Sequence, residues 1–198
     1  MLFQDDFFKN QYIKDAHSSV FDFFKYLMDH PSNLEKMQKE MTKLKTQLML
    51  KYKNINFQEK LIMASLIEKE TCVDHERSRI AGVFYHRLAK KMKLQCDPTV
   101  IYAVTNGQGL FNRPISKVDL KSDSPFNTYR FEGLPPGPIC NPGKASLIAA
   151  FEPMETNDLY FVVKGGGEHE FSKTLENHNK AVANLRKLEK EKNDNRLY

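Results

Sequence analysis

Residues 61–73 read LIMASLIEKETCV, a stretch with the spacing of an amphipathic helix. At about 100° of rotation per residue, four apolar side chains share one face of that helix: Met63, Leu66, Ile67 and Val73. Glu70 lies on this same face, whereas Glu68, two positions earlier, points to roughly the opposite side. The spacing therefore predicts one carboxyl in apolar surroundings, and a neighbouring carboxyl directed towards solvent or another partner.

The surroundings of Glu70 decide what its carboxyl can do. Apolar surroundings disfavour the charged form of a carboxyl and raise its pKa. A carboxyl with a raised pKa can act as a general acid near neutral pH. The alternative is an ordinary surface glutamate at the fraying end of a helix, and this stretch alone leaves both interpretations open.

The composition is that of a soluble globular protein. The 198 residues include 40% hydrophobic and 28% charged residues, enough for one compact domain with a small helical appendage. The net charge of +5 would suit an anionic partner such as nucleic acid or cell wall. Many of the lysines fall on predicted helices, however, where a solvated face explains them, and we expect no nucleic-acid partner. No run approaches the ~18–20 apolar residues of a membrane span, and no signal peptide begins the sequence.

The remaining pattern predicts an α+β fold with helices packed on a small antiparallel sheet. Ser32 and Glu35 form a capping box ahead of an amphipathic helix, and Asn56 is a candidate N-cap for the central helix. The dipeptides Asp97-Pro98 and Asn141-Pro142 each predict a cap followed by the first residue of a helix. The sequence from 159 to 172 predicts a β-hairpin with a glycine turn, and a last helix follows.

Several polar residues fall in loops stiffened by proline or glycine: Gln95, Asp97, Asn127, Tyr129 and Asn141. Rigid loops that display amides and a tyrosine suit hydrogen bonding to sugars, and the alternative for each residue is a turn or cap role. The three cysteines form no CxxC pair, and ordinary packing is their expected role. His169 and His178 are nine residues apart, which matches no familiar ligand spacing, so no metal site is predicted.

Four long strings occur in a fixed order: ASLIEKETCVDHER, VFYHRLAKKMKLQCDPTVIYAV, SPFNTYRFEGLPPGPICNPG and YFVVKGGGEHEFSKTLENHNKAV. Together they resemble the catalytic domain of the endolytic murein transglycosylases of bacteria, over about residues 57–187. The resemblance implies an enzyme that cleaves the MurNAc–GlcNAc β-1,4 bond within glycan strands and leaves a 1,6-anhydro-MurNAc end. The second glutamate of EKET is the acid/base of that family, and it corresponds to Glu70.

The resemblance also implies the site and its setting. It implies a glycan groove lined by Gln95, Asp97, Thr99, Asn127, Thr128 and Tyr129, with His169 and Asn179 as weaker candidates. It implies no metal or organic cofactor, peptidoglycan glycan strands as substrate, and cell-wall synthases as further partners. Members are usually anchored in the inner membrane with the catalytic domain facing the periplasm.

The N-terminal part departs from the family pattern. The usual transmembrane helix and LysM-like module are not visible, so we expect a soluble piece of a longer protein, with a helical N-terminal segment over residues 1–56 and the catalytic domain over residues 57–190. Three alternatives for the function stay open. They are a non-catalytic peptidoglycan-binding module that positions wall synthases, a hydrolase that produces reducing ends, and a pyridoxal-phosphate lyase. The last would need a Schiff-base lysine in a phosphate-binding context, which the sequence does not display.

Overall fold

The computed structural model describes residues 31–108, 111–165 and 167–194. Within these residues six α-helices and one β-hairpin form an α+β fold, as predicted. The helices are α1 (Pro31–Lys51), α2 (Phe57–Glu70), α3 (Arg77–Ala89), α4 (Asp97–Thr105), α5 (Lys144–Phe151) and α6 (Leu175–Asp194). Short 3-10 helices cover Asp74–Glu76 and Asp119–Lys121. The part of the predicted N-terminal segment before residue 31 lies outside the described residues.

Helix α2 is the centre of the core. Six consecutive residues, 62–67, are buried, so this helix is enclosed on all sides rather than lying on the surface with one apolar stripe. The predicted cap is confirmed, because Asn56 Oδ1 accepts the backbone N–H groups of Gln58 and Glu59. The helix ends at Glu70, and Thr71 is already extended, so the helix is three residues shorter than the apolar pattern predicted.

Helix α1 is the predicted amphipathic helix, and its apolar side packs against this core. Leu44 and Leu48 are buried members of the core cluster, and Met41 packs against it. The helix begins at Pro31, which suits its first turn because proline has no N–H to leave unpaired. The predicted cap Ser32 therefore lies inside the helix instead of preceding it.

The hairpin consists of β1 (Tyr160–Gly165) and β2 (Glu168–Ser172), which pair antiparallel with Tyr160 opposite Ser172. A register shift between Val163 and Gly165 precedes the turn. Helix α6 packs against both strands, and its predicted start is confirmed because Thr174 Oγ1 accepts the N–H of Asn177. No helix in the described ranges is long and apolar enough to cross a membrane.

The start of α5 corrects one prediction and shows which groups the Glu68 side chain contacts. Asn141 is not the cap, because α5 begins at Lys144 with Gly143 before it. The Glu68 carboxylate accepts the Gly143 N–H at 3.1 Å and the Ser146 hydroxyl at 2.5 Å. Because an anion is favoured at a helix N-terminus, the outward-facing glutamate of α2 joins that helix to α5.

Candidate active site

Glu70 is the last residue of α2, and its side chain is only partly buried. Protein atoms nevertheless surround the carboxyl so closely that desolvation raises its pKa from 4.5 to about 7. The spacing of the sequence favours this effect as one of the two interpretations that it leaves open for Glu70. A carboxyl that is close to half protonated at neutral pH and still reaches the surface can both donate and accept a proton there.

Three other groups act on the charge of Glu70, two from adjacent residues at the start of α4 and one from α3. Hydrogen bonding from the Cys96 thiol lowers the Glu70 pKa, the negative charge of Asp97 raises it, and the positive charge of Arg87 lowers it. All three effects are smaller than desolvation. Burial, followed by the charge of Glu70, raises the pKa of the Cys96 thiol well above its usual value, so the thiol remains a donor.

Asp97 and Tyr129 form a hydrogen-bonded pair beside this carboxyl. The Tyr129 hydroxyl donates to Asp97 Oδ1 across 32 positions of sequence. Burial, and then the bond to Asp97, raises the pKa of Tyr129, so its hydroxyl stays protonated. Asp97 is the first residue of α4 and makes no capping bond, which corrects the prediction that it is the N-cap. Its exposed carboxylate instead belongs to the site surface.

Gln95 also reaches the surface near Asp97. It is exposed and its backbone has a φ of +49°, in the left-handed region that non-glycine residues rarely adopt. Its N–H donates to the carbonyl of Thr128 at 3.1 Å, which joins the 95–97 segment to the 127–129 loop. Gln95, Asp97 and Tyr129 are thus predicted groove residues with exposed or partly exposed side chains.

The predicted groove residues Thr99, Thr128 and Asn127 are buried, with at most 2% of their surface exposed. Thr99 Oγ1 and Thr128 Oγ1 lie 2.8 Å apart, and Thr128 Oγ1 also accepts the N–H of Cys96. Asn127 donates to the carbonyls of residues 120 and 122 and accepts the N–H of Tyr129. The polar groups of these three residues therefore form hydrogen bonds inside the protein and hold the loops together.

His169, the other predicted substrate-binding residue, is also buried. It is 6% exposed. Its ring Nδ1 lies 2.8 Å from Glu76 Oε2, and its backbone N–H donates to Glu76 Oε1. Desolvation alone would raise the pKa of Glu76, but these bonds from His169 outweigh it, and the pKa is lowered. The pair joins strand β2 to the 3-10 helix ahead of α3.

Sequence reasoning missed Cys96 and Arg87. Cys96 was interpreted as a packing residue, and it is indeed 1% exposed, yet it adjoins Glu70. Arg87 lies on α3 and is buried at 8% exposure. One signal could have identified it, because Arg87 follows Ile80 and Phe84 at helical spacing and so falls on the apolar face. Within the described residues, no group of three or more His, Cys, Asp or Glu residues could hold a metal ion.

Fold and site define an α+β domain in which the end of a central helix presents one desolvated carboxyl to a partly open surface. The chain belongs to the YceG-like family, whose model matches residues 10–184. The match begins well before residue 57, so it includes α1 as well as the part with recognisable motifs.

Proteins from several bacteria are similar to this chain. A protein named endolytic murein transglycosylase from Bacillus subtilis (strain 168) is 45% identical over 77% of this chain and 43% of its own length. One of the same name from Streptococcus pneumoniae serotype 2 is 36% identical over 68% of this chain and 25% of its own length. A crystal structure of a yceG-like protein from Listeria monocytogenes has a TM-score of 0.58 and 44% identity, over 75% of this chain and 44% of that chain. The chain therefore spans less than half the length of each of these three relatives.

Proposed function

We propose that this domain is the catalytic part of an endolytic murein transglycosylase, which cleaves MurNAc–GlcNAc β-1,4 bonds inside peptidoglycan strands and leaves 1,6-anhydro-MurNAc ends. Family membership and the names of the two curated relatives support the reaction class. The observation that carries the assignment to a residue is the desolvated carboxyl of Glu70, with a pKa of about 7.

In the first step, protonated Glu70 donates its proton to the glycosidic oxygen. The bond from that oxygen to C1 of MurNAc breaks, GlcNAc leaves with a free 4-hydroxyl, and positive charge develops at C1 and the ring oxygen. A raised pKa suits this step because a substantial fraction of Glu70 carries a proton at neutral pH.

In the second step, the Glu70 carboxylate removes the proton from the 6-hydroxyl of the same MurNAc. The 6-oxygen attacks C1 and closes the 1,6-anhydro ring, and Glu70 returns to its protonated form. Since the nucleophile belongs to the substrate, proximity lowers the barrier without a bound water. Proton transfer and an internal nucleophile suffice, so this route needs neither a metal nor an organic cofactor.

The carboxylate of Glu68 is hydrogen-bonded to the start of α5. This favours a mechanism in which the single carboxyl of Glu70 acts first as the acid and then as the base. Glu68 caps α5 through Gly143 and Ser146 and is therefore not a second catalytic carboxyl beside Glu70. A retaining glycosidase would need a nucleophilic carboxylate about 5–5.5 Å from the acid. Asp97 is the other nearby carboxylate, and its Oδ1 is occupied by the Tyr129 hydroxyl.

The proposed glycan surface consists of the exposed loop residues beside Glu70. Gln95, Asp97 and Tyr129 have side chains that can form hydrogen bonds with sugar hydroxyl and N-acetyl groups. Buried Thr99, Thr128 and Asn127 would act on the substrate only indirectly, by holding these loops in place.

The setting of the domain is part of the same proposal. Peptidoglycan strands lie outside the cytoplasmic membrane, so the domain would work on the periplasmic side of the inner membrane, held there by an anchor in the full-length protein. Cell-wall synthases are the proposed partners, because new glycan strands are cut where they are made. Co-purification of the full-length protein with synthases from cross-linked membranes would test this partnership.

Digestion of purified glycan strands followed by mass spectrometry tests the activity. We expect anhydro-MurNAc ends with the wild type and with Glu68→Gln, a matched control two residues away, and none with Glu70→Gln. Reducing ends from the wild type would instead identify a hydrolase. Binding of strands without cleavage by any of the three proteins would favour the non-catalytic module.

A further inference from the structure

The backbone directly after Glu70 is held at three points. Thr71, the first extended residue after α2, is only 4% exposed. Its N–H donates to the carbonyl of Ile67 at 3.3 Å, its hydroxyl oxygen accepts the N–H of Val73 at 2.9 Å, and its carbonyl accepts a bond from Arg77 Nη1 at 2.7 Å. The first two contacts are local, whereas the third comes from the first residue of α3 and is the shortest. The backbone position of Glu70 therefore depends on Arg77.

The C-terminus of α2 is a place where such a contact matters. The last carbonyls of a helix have no partner within it, and helix ends fray unless other groups hold them. A cation is favoured at this end, because the helix dipole is negative there. Arg77 supplies both a hydrogen-bond donor and a positive charge one residue beyond Glu70.

The Arg77 side chain is itself fixed by several groups and is 11% exposed. Its Nε donates to Asp74 Oδ1 at 3.1 Å, and its Nη1 also donates to Ser146 Oγ at 3.3 Å. Ser146 lies on α5 and is completely buried, and Glu68 Oε2 lies 4.0 Å from Nη1. Two carboxylates thus balance the charge of Arg77, while its guanidinium joins α3 to α5 and to the end of α2.

Arg79, two positions further along α3, provides the comparison. It pairs with Asp158 at 2.7 Å and lies 4.1 Å from the centre of the Phe171 ring, so it joins α3 to the segment before β1 and to β2. Asp158 is 3% exposed, and loss of Arg79 would leave this buried carboxylate without its cation and destabilise the fold. Substitution of Arg79 therefore reports the effect of lost stability by itself.

We propose that Arg77 is a positioning residue, which holds the carbonyl of Thr71 and thereby keeps the Glu70 carboxyl where it exchanges protons with the substrate. This role rests on the proposed function for its place in the reaction. A displacement of about 1 Å at a reacting group can cost about 100-fold in rate. The bonds of Arg77 go to Thr71, Asp74 and Ser146, which are not part of the proposed glycan surface, so its loss should affect turnover more than binding.

Amide hydrogen exchange followed by NMR tests the contact without any substrate. Arg77→Met keeps a long side chain without donors or charge, so the amides of Thr71 and Val73 should exchange about tenfold faster, the scale of losing one hydrogen bond from a charged group. Arg77→Lys keeps the charge and a donor and should recover part of the protection. Arg79→Met, the matched change on the same helix, should leave both amides as in the wild type.

The kinetics of glycan cleavage, expressed per folded molecule, give the second measurement. Arg77→Met should lower kcat by about 10- to 100-fold, with KM close to the wild-type value. Arg77→Lys should restore part of kcat, because a lysine can still donate to the carbonyl of Thr71. Arg79→Met should keep the wild-type kcat even though it lowers stability, since a change in stability alone does not alter turnover by the molecules that are folded.

Arg77 has no positioning role if Arg77→Met keeps the wild-type exchange of both amides, if it raises KM at unchanged kcat, or if Arg79→Met lowers kcat equally. Should Arg77→Met fail to fold, an ester in place of the peptide bond between Thr71 and Cys72 weakens the accepting carbonyl and leaves Arg77 in place, and the same two measurements decide. Failure of the wild type to cleave would reject the proposed function, while the exchange of the two amides would still decide whether Arg77 holds the end of α2.

Discussion

The desolvated carboxyl of Glu70 should reduce the stability of the fold at neutral and alkaline pH, and Glu70→Gln should remove that cost. The folded-state pKa of about 7 exceeds the ordinary value of 4.5. Below pH 4.5 the carboxyl is protonated in both states and imposes no penalty. As the pH rises towards 7 only the unfolded state ionises freely, so stability falls, and above 7 the loss is complete.

The size of this effect follows from the two pKa values. They differ by about 2.5, and each pKa unit is worth 1.36 kcal/mol, so the full penalty is about 3 kcal/mol. Because glutamine has nearly the same shape and no charge, Glu70→Gln should be more stable than the wild type by about that amount at pH 8. The two proteins should have similar stability at pH 4.

Urea unfolding at a series of pH values between 4 and 8 measures the difference in unfolding free energy. The control is Glu68→Gln, which weakens the cap of α5 and should lose about 1 kcal/mol instead of gaining stability. If the difference in unfolding free energy between Glu70→Gln and the wild type stays constant with pH, the reasoning is refuted. Such a result would mean that folding does not change the pKa of the Glu70 carboxyl.

Three further substitutions test individual hydrogen bonds and packing contacts of the fold. Asn127→Ala removes a buried amide whose hydrogen bonds hold two loops, so it should cost about 2–3 kcal/mol in urea unfolding; a loss below about 0.5 kcal/mol would contradict the assigned role. Gly82→Ala adds a Cβ that overlaps the backbone oxygen of Met154, so we expect a loss of about 1–3 kcal/mol and a lower melting temperature, and unchanged melting would contradict the packing. Glu76 has a lowered pKa because of His169, so its stabilising contribution is present above pH 4.5 and is lost as the pH falls through the folded-state value. As the pH falls, Glu76→Gln should therefore lose less stability than the wild type. Identical acid-unfolding curves would contradict this role of the Glu76–His169 pair.

Local patterns in the sequence were enough to predict the elements that form the core. The Asn56 cap and the 159–172 hairpin depend on residues close together in the chain, and the structure confirms both of them. Glu70 could be singled out for the same reason, since a face of a helix is fixed by spacing alone. A raised pKa for its carboxyl was then expected, because apolar surroundings disfavour the charged form.

The surface of the site could not be predicted in the same way. Thr99, Asn127, Thr128 and His169 have polar side chains suited to a sugar, but each is buried against a partner, and the partners of Thr99, Thr128 and His169 lie 29 to 93 positions away. Loop residues of similar type, such as Asp97 and Gln95, remain exposed. Composition cannot distinguish these two groups, because burial depends on which distant segments pack together.

The sequence by itself determined the secondary structure around Glu70 and the face on which its carboxyl lies, because both follow from interactions within a few turns of one helix. Only the tertiary structure decided what faces that carboxyl. Arg87 on α3, and Cys96 and Asp97 at the start of α4, are distant from Glu70 in the sequence and act on it through space. Likewise the cap of α5 is supplied by Glu68, 75 positions before Gly143, instead of the adjacent Asn141. Hydrogen bonds and charges depend on distance in three dimensions, and separation along the chain does not reveal it.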